Sequence, residues 1–435
     1  MASPLTAHPA RALKGDCTVP GDKSISHRAL IFGGLAEGQT RVEGLLEADD
    51  VLRTAAAVRA LGAAVEKDGG TWVIEGASWQ SPDHTLYCGN AGTGSRLLMG
   101  AVAGQGVKAT FDGDRSLRSR PMGRILDPLE TMGVVSDSDA GKLPVTVKAG
   151  RPEAIRFALP KPSAQIKSAV LLAALGAEGT TIIEEPVLCR DHTERMLPAF
   201  GVPVTFKDTN ACREIHVTGP ARLKGTALRV PADPSSAAFP VAAGLLVPGS
   251  RVAVRGVLAN PTRTGLYDVL KEMGADLQFE HLGEEGGEPV VDLVAAHGAM
   301  NGITVTADRV PSMIDEYPIL AVIAAAAKGT TRMEGLGELR VKESDRLSAT
   351  AALLRANGVT CREGEDWLEV DGGPIPGGGT VETHDDHRIA MSGLILGLAA
   401  DNPVTIDDAE MIGTSFTGFT ELMEGLGATL SVGTP

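Results

Sequence analysis

The chain has little cysteine and few aromatic residues, and both shortages limit what it can be. Its 435 residues include five scattered cysteines, and no two of them have C-x-x-C spacing. An odd, scattered set argues against a disulfide framework or a zinc site and indicates buried or inert thiols. Aromatic residues make up only 3 % of the chain, whereas hydrophobic residues make up 43 %. We therefore expect a globular protein with a largely aliphatic core. The cysteines are Cys17, Cys88, Cys189, Cys212 and Cys361.

Long hydrophobic runs are also missing. The longest wholly apolar run, from Ile319 to Ala327, has about nine residues, whereas a membrane-spanning helix needs roughly 18. The segment from Met1 to Lys14 lacks the apolar core of a signal peptide. We expect a cytoplasmic protein.

Positive charge is in deficit. Asp and Glu number 55 against 40 Lys and Arg, which gives a formal net charge of −15. General nucleic-acid binding requires a basic face, so this balance argues against it. The net charge does not exclude an anionic small-molecule substrate, because the electrostatic field inside a cleft depends on the nearby side chains more than on the net charge.

Repetition is what the chain has in abundance. Six apolar helices are predicted to open near Ser26, Gly92, Ser163, Ser235, Asp315 and Asp386. In each copy a strand and an amphipathic helix follow, and a glycine that tolerates the left-handed cap closes that helix. A period of 66 to 80 residues over the whole chain indicates repeated supersecondary units. The closing glycines are Gly62, Gly133, Gly201, Gly274, Gly358 and Gly427.

Two stretches rich in Pro and Gly are predicted to be crossings between two domains. They lie at 20–22 and 231–234, with three repeats on either side of the second. The first domain is expected to be 21–233, and the second to combine 1–20 with 234–435. The segment before Pro20 is too short for a repeat, so we expect it to supply a strand to the domain of the last repeat.

Polar residues gather where the apolar helices begin. Helix capping explains Ser, Thr, Asp and Asn at these positions. Capping does not explain cations, which the positive end of a helix dipole disfavours, so a bound anion is the alternative. Further Arg and Lys groups follow strands in Arg118–Arg124, Arg190–His192 and Arg340–Arg346. The cations at helix starts are Lys23, Arg28, Lys167 and Arg388.

Five segments resemble the signature motifs of the 5-enolpyruvylshikimate-3-phosphate synthase family. Three more segments resemble the branch that includes glyphosate-tolerant bacterial enzymes: Ser163–Ser168, Arg190–Thr193 and Asn260–Gly265. The likeness runs in order from about residue 10 to residue 430. The five are Pro20–Arg28, Asn90–Thr93, Arg120–Met122, Arg340–Arg346 and Asp386–Met391.

The resemblance implies an α/β fold, an inside-out barrel or prism in two domains. Six β-α-β-α-β-β repeats would place parallel helices inside and sheets outside, with the active site between the domains. It implies transfer of the enolpyruvyl group of phosphoenolpyruvate to the 5-hydroxyl of shikimate 3-phosphate, in aromatic amino-acid (chorismate) biosynthesis. It implies no metal, no organic cofactor, glyphosate as an inhibitor and a monomeric enzyme.

The resemblance also assigns site residues by motif. Asp315, Glu343 and Lys23 would be catalytic. Shikimate 3-phosphate would be bound by Lys23, Ser24, Arg28, Ser163, Ala164, Gln165, Arg190, Asp315 and Lys342. Phosphoenolpyruvate would be bound by Lys23, Asn90, Gly92, Arg120, Gln165, Arg346 and Arg388.

The chemistry needs two carboxyl groups in different environments, one to protonate C3 of phosphoenolpyruvate and one to accept the hydroxyl proton. Glu343, next to Lys342 and close to Arg346, is the predicted acid. Asp315, at a buried helix start, is the predicted base. Arginine side chains would stabilise the phosphate that leaves.

Three positions bear on how the family pattern is read. Thr414 stands where many members have Lys, and Ala164 stands where many have a second Ser. Gly92 favours ordinary glyphosate sensitivity, because tolerant members of the similar branch carry Ala there.

Two other functions are open. The first is enolpyruvyl transfer to a UDP-sugar, but enzymes of that kind usually have Asn after the first-motif Lys and a Cys in a mobile loop. Here Ser24 follows Lys23, and the loop from Asp112 to Arg120 has no Cys. The second is a non-catalytic anion-binding scaffold, against which the combination of Asp315, Glu343 and the arginines argues.

Overall fold

The computed structural model describes residues 3–432, and helices alternate with short strands throughout them. Fourteen α-helices lie in this range, with three short 3₁₀ turns at Ala307–Arg309, Leu336–Val341 and Glu410–Thr414. The helices are α1 (Lys23–Leu35), α2 (Asp49–Ala60), α3 (Gly92–Gln105), α4 (Arg115–Ser119), α5 (Gly123–Thr131), α6 (Ala164–Ala174), α7 (His192–Ala199), α8 (Pro234–Leu246), α9 (Gly265–Glu272), α10 (Val310–Met313), α11 (Tyr317–Ala326), α12 (Arg346–Ala356), α13 (His387–Ala399) and α14 (Phe419–Gly425).

The same range holds 24 strands, which form six four-stranded sheets. The strands are β1 (Leu5–Ala7), β2 (Lys14–Cys17), β3 (Gln39–Glu43), β4 (Ala64–Asp68), β5 (Thr71–Glu75), β6 (Leu86–Tyr87), β7 (Ala109–Asp112), β8 (Ser136–Asp139), β9 (Lys142–Val147), β10 (Arg156–Ala158), β11 (Gly179–Glu185), β12 (Thr205–Asp208), β13 (Arg213–Gly219), β14 (Ala227–Arg229), β15 (Arg251–Leu258), β16 (Asp276–Glu285), β17 (Glu288–Ala296), β18 (Thr304–Val305), β19 (Thr330–Met333), β20 (Cys361–Glu363), β21 (Leu368–Asp371), β22 (Thr380–Val381), β23 (Val404–Ile406) and β24 (Leu430–Val432).

Each repeat supplies at least three of the four strands of one sheet, and the described residues contain six repeats, as the sequence predicts. The second repeat shows the plan: the order is β6-β7-β9-β8, in which β6 is parallel to β7 and the other neighbours are antiparallel. The fold class is therefore α/β.

The buried helices open close to the predicted positions. In the fifth repeat, α11 begins at Tyr317, two residues after Asp315, and every residue from Tyr317 to Ala325 is buried. All six closing glycines have positive φ, from 76° at Gly358 to 115° at Gly62. L residues with a side chain rarely adopt this conformation, which explains why glycine stands there.

Small residues allow two of the buried helices to pack closely. A Cβ added to Gly100 of α3 would lie 2.3 Å from the carbonyl oxygen of Ala169 in α6. One added to Gly104 would lie 2.5 Å from the carbonyl oxygen of Leu172. Both helices would have to move apart to accept larger residues.

The chain forms two compact units. The first unit comprises residues 21–230 and 284–288; the second comprises the residues up to Pro20, then 231–283, and the chain from Pro289 onward. The second division falls at Pro231, before the expected boundary at 234. The first unit also includes 284–288, which comprises the end of β16, the turn and the first residue of β17, and the repeat pattern does not predict this.

Strands from outside a repeat complete three of the sheets. In the first unit, β14 follows the third repeat but pairs in parallel with β3 of the first. In the second unit, β2 pairs in parallel with β15, and β1 lies between β23 and β24. The segment before Pro20 thus gives two strands to the second unit, one of them to the sheet of the last repeat.

Across residues 3–432, the structure contains no helix that is both long enough and apolar enough to span a bilayer.

Candidate active site

In the first unit, Lys23 is the first residue of α1. The preceding Asp22 caps the helix, since its Oδ1 accepts a hydrogen bond from the backbone N–H of Ile25 at 2.8 Å. The Lys23 Nζ donates to Oδ2 of Asp50, which lies in the first turn of α2, at 3.1 Å. The lysine side chain is 19 % exposed, so it is held at the surface of its unit where a ligand can approach.

Arg28 lies one turn further along α1 and is 2 % exposed. Its guanidinium donates to the carbonyl oxygen of Ser24 at 2.9 Å, to Oγ of Ser168 at 2.7 Å and to Oγ1 of Thr193 at 2.8 Å. Burial lowers the pKa of Arg28 to about 10. The carboxylate of Glu194 opposes this shift, and the positive charge of Arg190 increases it. Arg28 therefore stays cationic at neutral pH, and Arg190 lies close enough for the two charges to interact.

A second group surrounds the start of α3. The Arg120 Nη2 donates to Oδ1 of Asn90 at 2.5 Å and to Oγ of Ser116 at 3.1 Å. A Cβ added to Gly92, the first residue of α3, would lie 3.0 Å from Nη1 of Arg120 and 3.2 Å from Nη1 of Arg96. Gly92 thus leaves room directly beside two guanidinium groups.

Gln165, in the first turn of α6, connects to that group. Its Nε2 donates to Oγ1 of Thr93 at 3.0 Å, and its Oε1 accepts from Nη1 of Arg96 at 2.9 Å. The preceding Ser163 caps α6 with a long hydrogen bond of 3.5 Å from the backbone N–H of Ile166. Ala164, the first residue of α6, offers no hydroxyl group.

Lys167 does not lie where a bound anion could contact it, although the sequence pattern favours that interpretation. Its side chain is fully buried, and Nζ lies 2.6 Å from Glu185 Oε1 and 2.7 Å from Glu194 Oε1. Two carboxylates already compensate its charge, so no bound anion is needed to explain a lysine at this helix start.

In the second unit, Arg346 brings together three carboxylates. It is 1 % exposed, and its Nε donates to Oδ2 of Asp386 at 2.8 Å. Its Nη1 donates to Oδ1 of Asp315 at 3.2 Å, and its Nη2 forms an ion pair of 2.5 Å with Oε2 of Glu343. Both predicted acid–base residues therefore contact the same guanidinium group.

The charges in this cluster support one another. Burial alone would lower the pKa of Arg346, but the carboxylates of Asp386, Glu343 and Asp315 raise it well above its usual value. Burial alone would raise the pKa of Asp386, but Arg346 outweighs that effect and lowers it. Arg346 and Asp386 are therefore both ionised at neutral pH.

Two more cations lie beside Asp315. The Lys342 Nζ donates to Oδ1 of Asp315 at 3.1 Å, and the Arg388 Nη1 donates to its backbone carbonyl oxygen at 3.2 Å. Arg388 also approaches the buried carboxylate of Glu316, at 3.5 Å. Thr414, which stands where many family members have Lys, donates its hydroxyl to the carbonyl oxygen of Met411 at 2.7 Å.

The sequence assignment missed four residues that contact the predicted site residues and hold them in place. Asp50 contacts Lys23, Arg96 contacts Gln165, Asp386 contacts Arg346 and Glu316 contacts Arg388. Three of them lie inside or next to segments already singled out, so proximity in the sequence was a usable signal. Asp50 lies on the helix that follows α1, and no motif marked it.

Each unit thus presents cations at helix starts, and the second unit adds three carboxylates that contact one arginine, among them the predicted acid–base pair. Such an arrangement can hold an anion and exchange protons with it. Among residues 3–432, no group of three or more His, Cys, Asp or Glu side chains is placed to hold a metal ion.

Comparison with known proteins gives a consistent result. The family model described as EPSP synthase (3-phosphoshikimate 1-carboxyvinyltransferase) matches residues 7–423. A protein of that name from Methylorubrum populi is 58 % identical, and the alignment covers 99 % of this chain and 98 % of the relative. Another, from Rhizobium johnstonii, is 53 % identical with the same coverage.

Solved structures agree with this likeness. An EPSP synthase from Acinetobacter baumannii is 42 % identical with a TM-score of 0.88, and the match covers 99 % of this chain and 100 % of that one. The enolpyruvyl transferase NikO from Streptomyces tendae, 21 % identical over the full length of both chains, has a TM-score of 0.78 and shares the fold.

Proposed function

Because this chain belongs to the EPSP synthase family, we propose that the charged groups at the starts of its buried helices bind the two substrates of that reaction and catalyse it. The chain is a 3-phosphoshikimate 1-carboxyvinyltransferase. It transfers the enolpyruvyl group of phosphoenolpyruvate to the 5-hydroxyl of shikimate 3-phosphate, in the biosynthesis of chorismate and the aromatic amino acids.

In this proposal the site residues predicted from the sequence bind the two substrates. Shikimate 3-phosphate is bound by Lys23, Ser24, Arg28, Ser163, Ala164, Gln165, Arg190, Asp315 and Lys342. Phosphoenolpyruvate is bound by Lys23, Asn90, Gly92, Arg120, Gln165, Arg346 and Arg388. Arginine suits both substrates because its planar fork matches phosphate and carboxylate oxygens.

The contact of Arg346 with both Asp315 and Glu343 carries the proposal for the chemistry. Glu343 delivers a proton to C3 of phosphoenolpyruvate, which makes C2 electrophilic. Asp315 accepts the proton of the 5-hydroxyl as its oxygen bonds to C2. The tetrahedral intermediate then loses a proton from C3 and expels phosphate, whose negative charge the arginine side chains stabilise.

The direct test is to follow phosphate release and the organic product together. We expect phosphate from phosphoenolpyruvate only when shikimate 3-phosphate is present, and a new vinyl ether in the proton NMR spectrum of the product. Phosphate release with UDP-N-acetylglucosamine instead would point to the alternative enolpyruvyl transferase. Binding of both anions without turnover would point to a scaffold.

Three further points belong to the proposal. Glyphosate, which carries a phosphonate and a carboxylate, is expected to compete with phosphoenolpyruvate for the cations around Gly92.

The enzyme is expected to act as a monomer, and light scattering coupled to gel filtration tests this. Cytoplasmic location is expected, and fractionation of the source cells tests it.

A further inference from the structure

A buried ion cluster lies in the first unit, and the proposed chemistry does not use it. It consists of Lys167, Glu185 and Glu194, whose side chains are between 0 and 2 % exposed. The Lys167 Nζ lies 2.6 Å from Glu185 and 2.7 Å from Glu194. Three charges that are fully removed from water cost more than apolar residues of the same size would, so stability alone does not explain the cluster.

The buried ion cluster holds both backbone polar groups of one residue, Cys189, in the loop between β11 and α7. The backbone N–H of Cys189 donates to Oε1 of Glu185 at 3.0 Å. The carbonyl oxygen of Cys189 accepts from Nζ of Lys167 at 3.3 Å. The next residue is Arg190, so the two contacts fix the backbone from which its side chain extends.

The cluster also lies directly behind Arg28. Ser168, which follows Lys167, accepts from the Arg28 guanidinium at 2.7 Å, and Thr193, which precedes Glu194, accepts from it at 2.8 Å. The charge of Glu194 favours the cationic form of Arg28, whereas that of Arg190 opposes it. Two mutually repelling arginines are thus held near each other with a buried carboxylate as a counter-charge.

We propose that the buried ion cluster positions Arg190 for the carboxylate of shikimate 3-phosphate, and so sets affinity for that substrate without touching it. This inference rests on the proposed function, in which Arg190 binds that carboxylate. Lys167, Glu185 and Glu194 are positioning residues: they do not meet either substrate, and saturating shikimate 3-phosphate compensates for their loss.

The test is the affinity for shikimate 3-phosphate alone, measured by calorimetry without phosphoenolpyruvate. Glu185→Ala removes the acceptor of the Cys189 N–H but leaves Lys167 paired with Glu194. We expect the Kd to rise about tenfold, as the loss of one hydrogen bond to a charged group predicts. Glu185→Gln retains an acceptor oxygen and should stay within about threefold of wild type. Glu178→Ala, at an exposed glutamate in the same repeat, is the control.

Kinetics separate positioning from general damage. We expect Glu185→Ala to raise the KM for shikimate 3-phosphate while leaving kcat and the KM for phosphoenolpyruvate unchanged. Lys167→Met, which removes the contact to the Cys189 carbonyl instead, should shift the same constant and carries the test if Glu185→Ala fails to fold. A fall in kcat and a rise in both KM values by similar factors would overturn the inference.

A double-mutant cycle with Arg190→Met identifies the group through which the cluster acts. If the cluster works through Arg190, Glu185→Ala weakens binding in the wild type but not in the Arg190→Met background. If the two substitutions raise the Kd independently, so that their factors multiply in the double variant, the positioning role is overturned and the proposed function stands. If Arg190→Met itself bound shikimate 3-phosphate as the wild type does, the assignment of Arg190 would fall, and the inference with it.

Discussion

Arg346 shows how a single side chain can prepare two carboxylates for different tasks. Asp315 and Glu343 contact different nitrogens of its guanidinium, while Asp386 binds a third. Lys342 contacts Asp315 as well. Asp315 thus faces two cations and Glu343 faces one in these contacts, which is the kind of difference that separates a base from an acid.

Removing either carboxylate should slow turnover strongly without unfolding the enzyme. We expect Glu343→Gln and Asp315→Asn each to lower kcat by roughly 10² to 10⁴, the usual contribution of a general acid or base. Steady-state phosphate release gives the rate, and thermal melting checks the fold. Glu365→Gln, at an exposed carboxylate, should retain full activity. Near-normal rates in both site variants would mean that other groups move the protons.

Gly92 should govern how well glyphosate is distinguished from phosphoenolpyruvate. Its φ is not positive, so alanine is accepted by the backbone, but the new methyl group would lie 3.0 Å from Arg120 and 3.2 Å from Arg96. We expect Gly92→Ala to raise the inhibition constant of glyphosate more than the KM of phosphoenolpyruvate. Gly70→Ala, where nothing lies within 4 Å of the added carbon, is the control. An unchanged inhibition constant would exclude steric control at this turn.

At the scale of elements, the helices were predictable and the exchange of strands between repeats only in part. Closing glycines such as Gly358 mark helix ends, because positive φ excludes most other residues. The sequence led us to expect one strand from the segment before Pro20. Nothing local in β14 or β2 indicates which sheet each joins, since an edge strand of three or four residues is placed by tertiary contacts.

The start of α13 depends on Asp386, so its stability should depend on pH. Asp386 Oδ1 accepts from the backbone N–H of Arg388 at 3.0 Å, and Oδ2 accepts from Arg346. Burial opposes ionisation of this group, but Arg346 lowers its pKa below the usual Asp value. A lowered folded-state pKa stabilises the protein above the unfolded-state pKa of about 3.9, and this contribution is lost as pH falls through the folded-state value.

We therefore expect Asp386→Asn to lower the free energy of unfolding by about 3–5 kcal/mol at pH 7, the usual cost of breaking a buried ion pair. The difference from wild type should be constant above about pH 5 and shrink below about pH 4. Urea titrations at several pH values measure it. A difference that stays the same down to pH 3 would show that the ion pair is not its source.

For the whole molecule, composition predicts a globular protein with a largely aliphatic core but not the way in which charges are placed. The net charge of −15 gives no sign of a site for two anions. The cations that matter are held by specific partners, such as Asp50, 27 residues from Lys23, and Asn90, 30 residues from Arg120. The family motifs named most of these residues, whereas Lys167 shows that a cation at a helix start can serve a different purpose.

The reaction should need no divalent metal, because side chains supply the positive charge that phosphoenolpyruvate requires. These side chains are Lys23, Arg120, Arg346 and Arg388, each of which is held by a partner within its own unit. One pair of unit charges 4 Å apart is worth about 4 kcal/mol at an effective dielectric constant of 20, so several pairs can balance a phosphate and a carboxylate. We expect phosphate release to require both substrates and to proceed at the same initial rate after dialysis against EDTA. A magnesium-dependent kinase assayed in the same buffer confirms that chelation is complete. Loss of activity in EDTA that Mg²⁺ restores would show that a metal ion takes part.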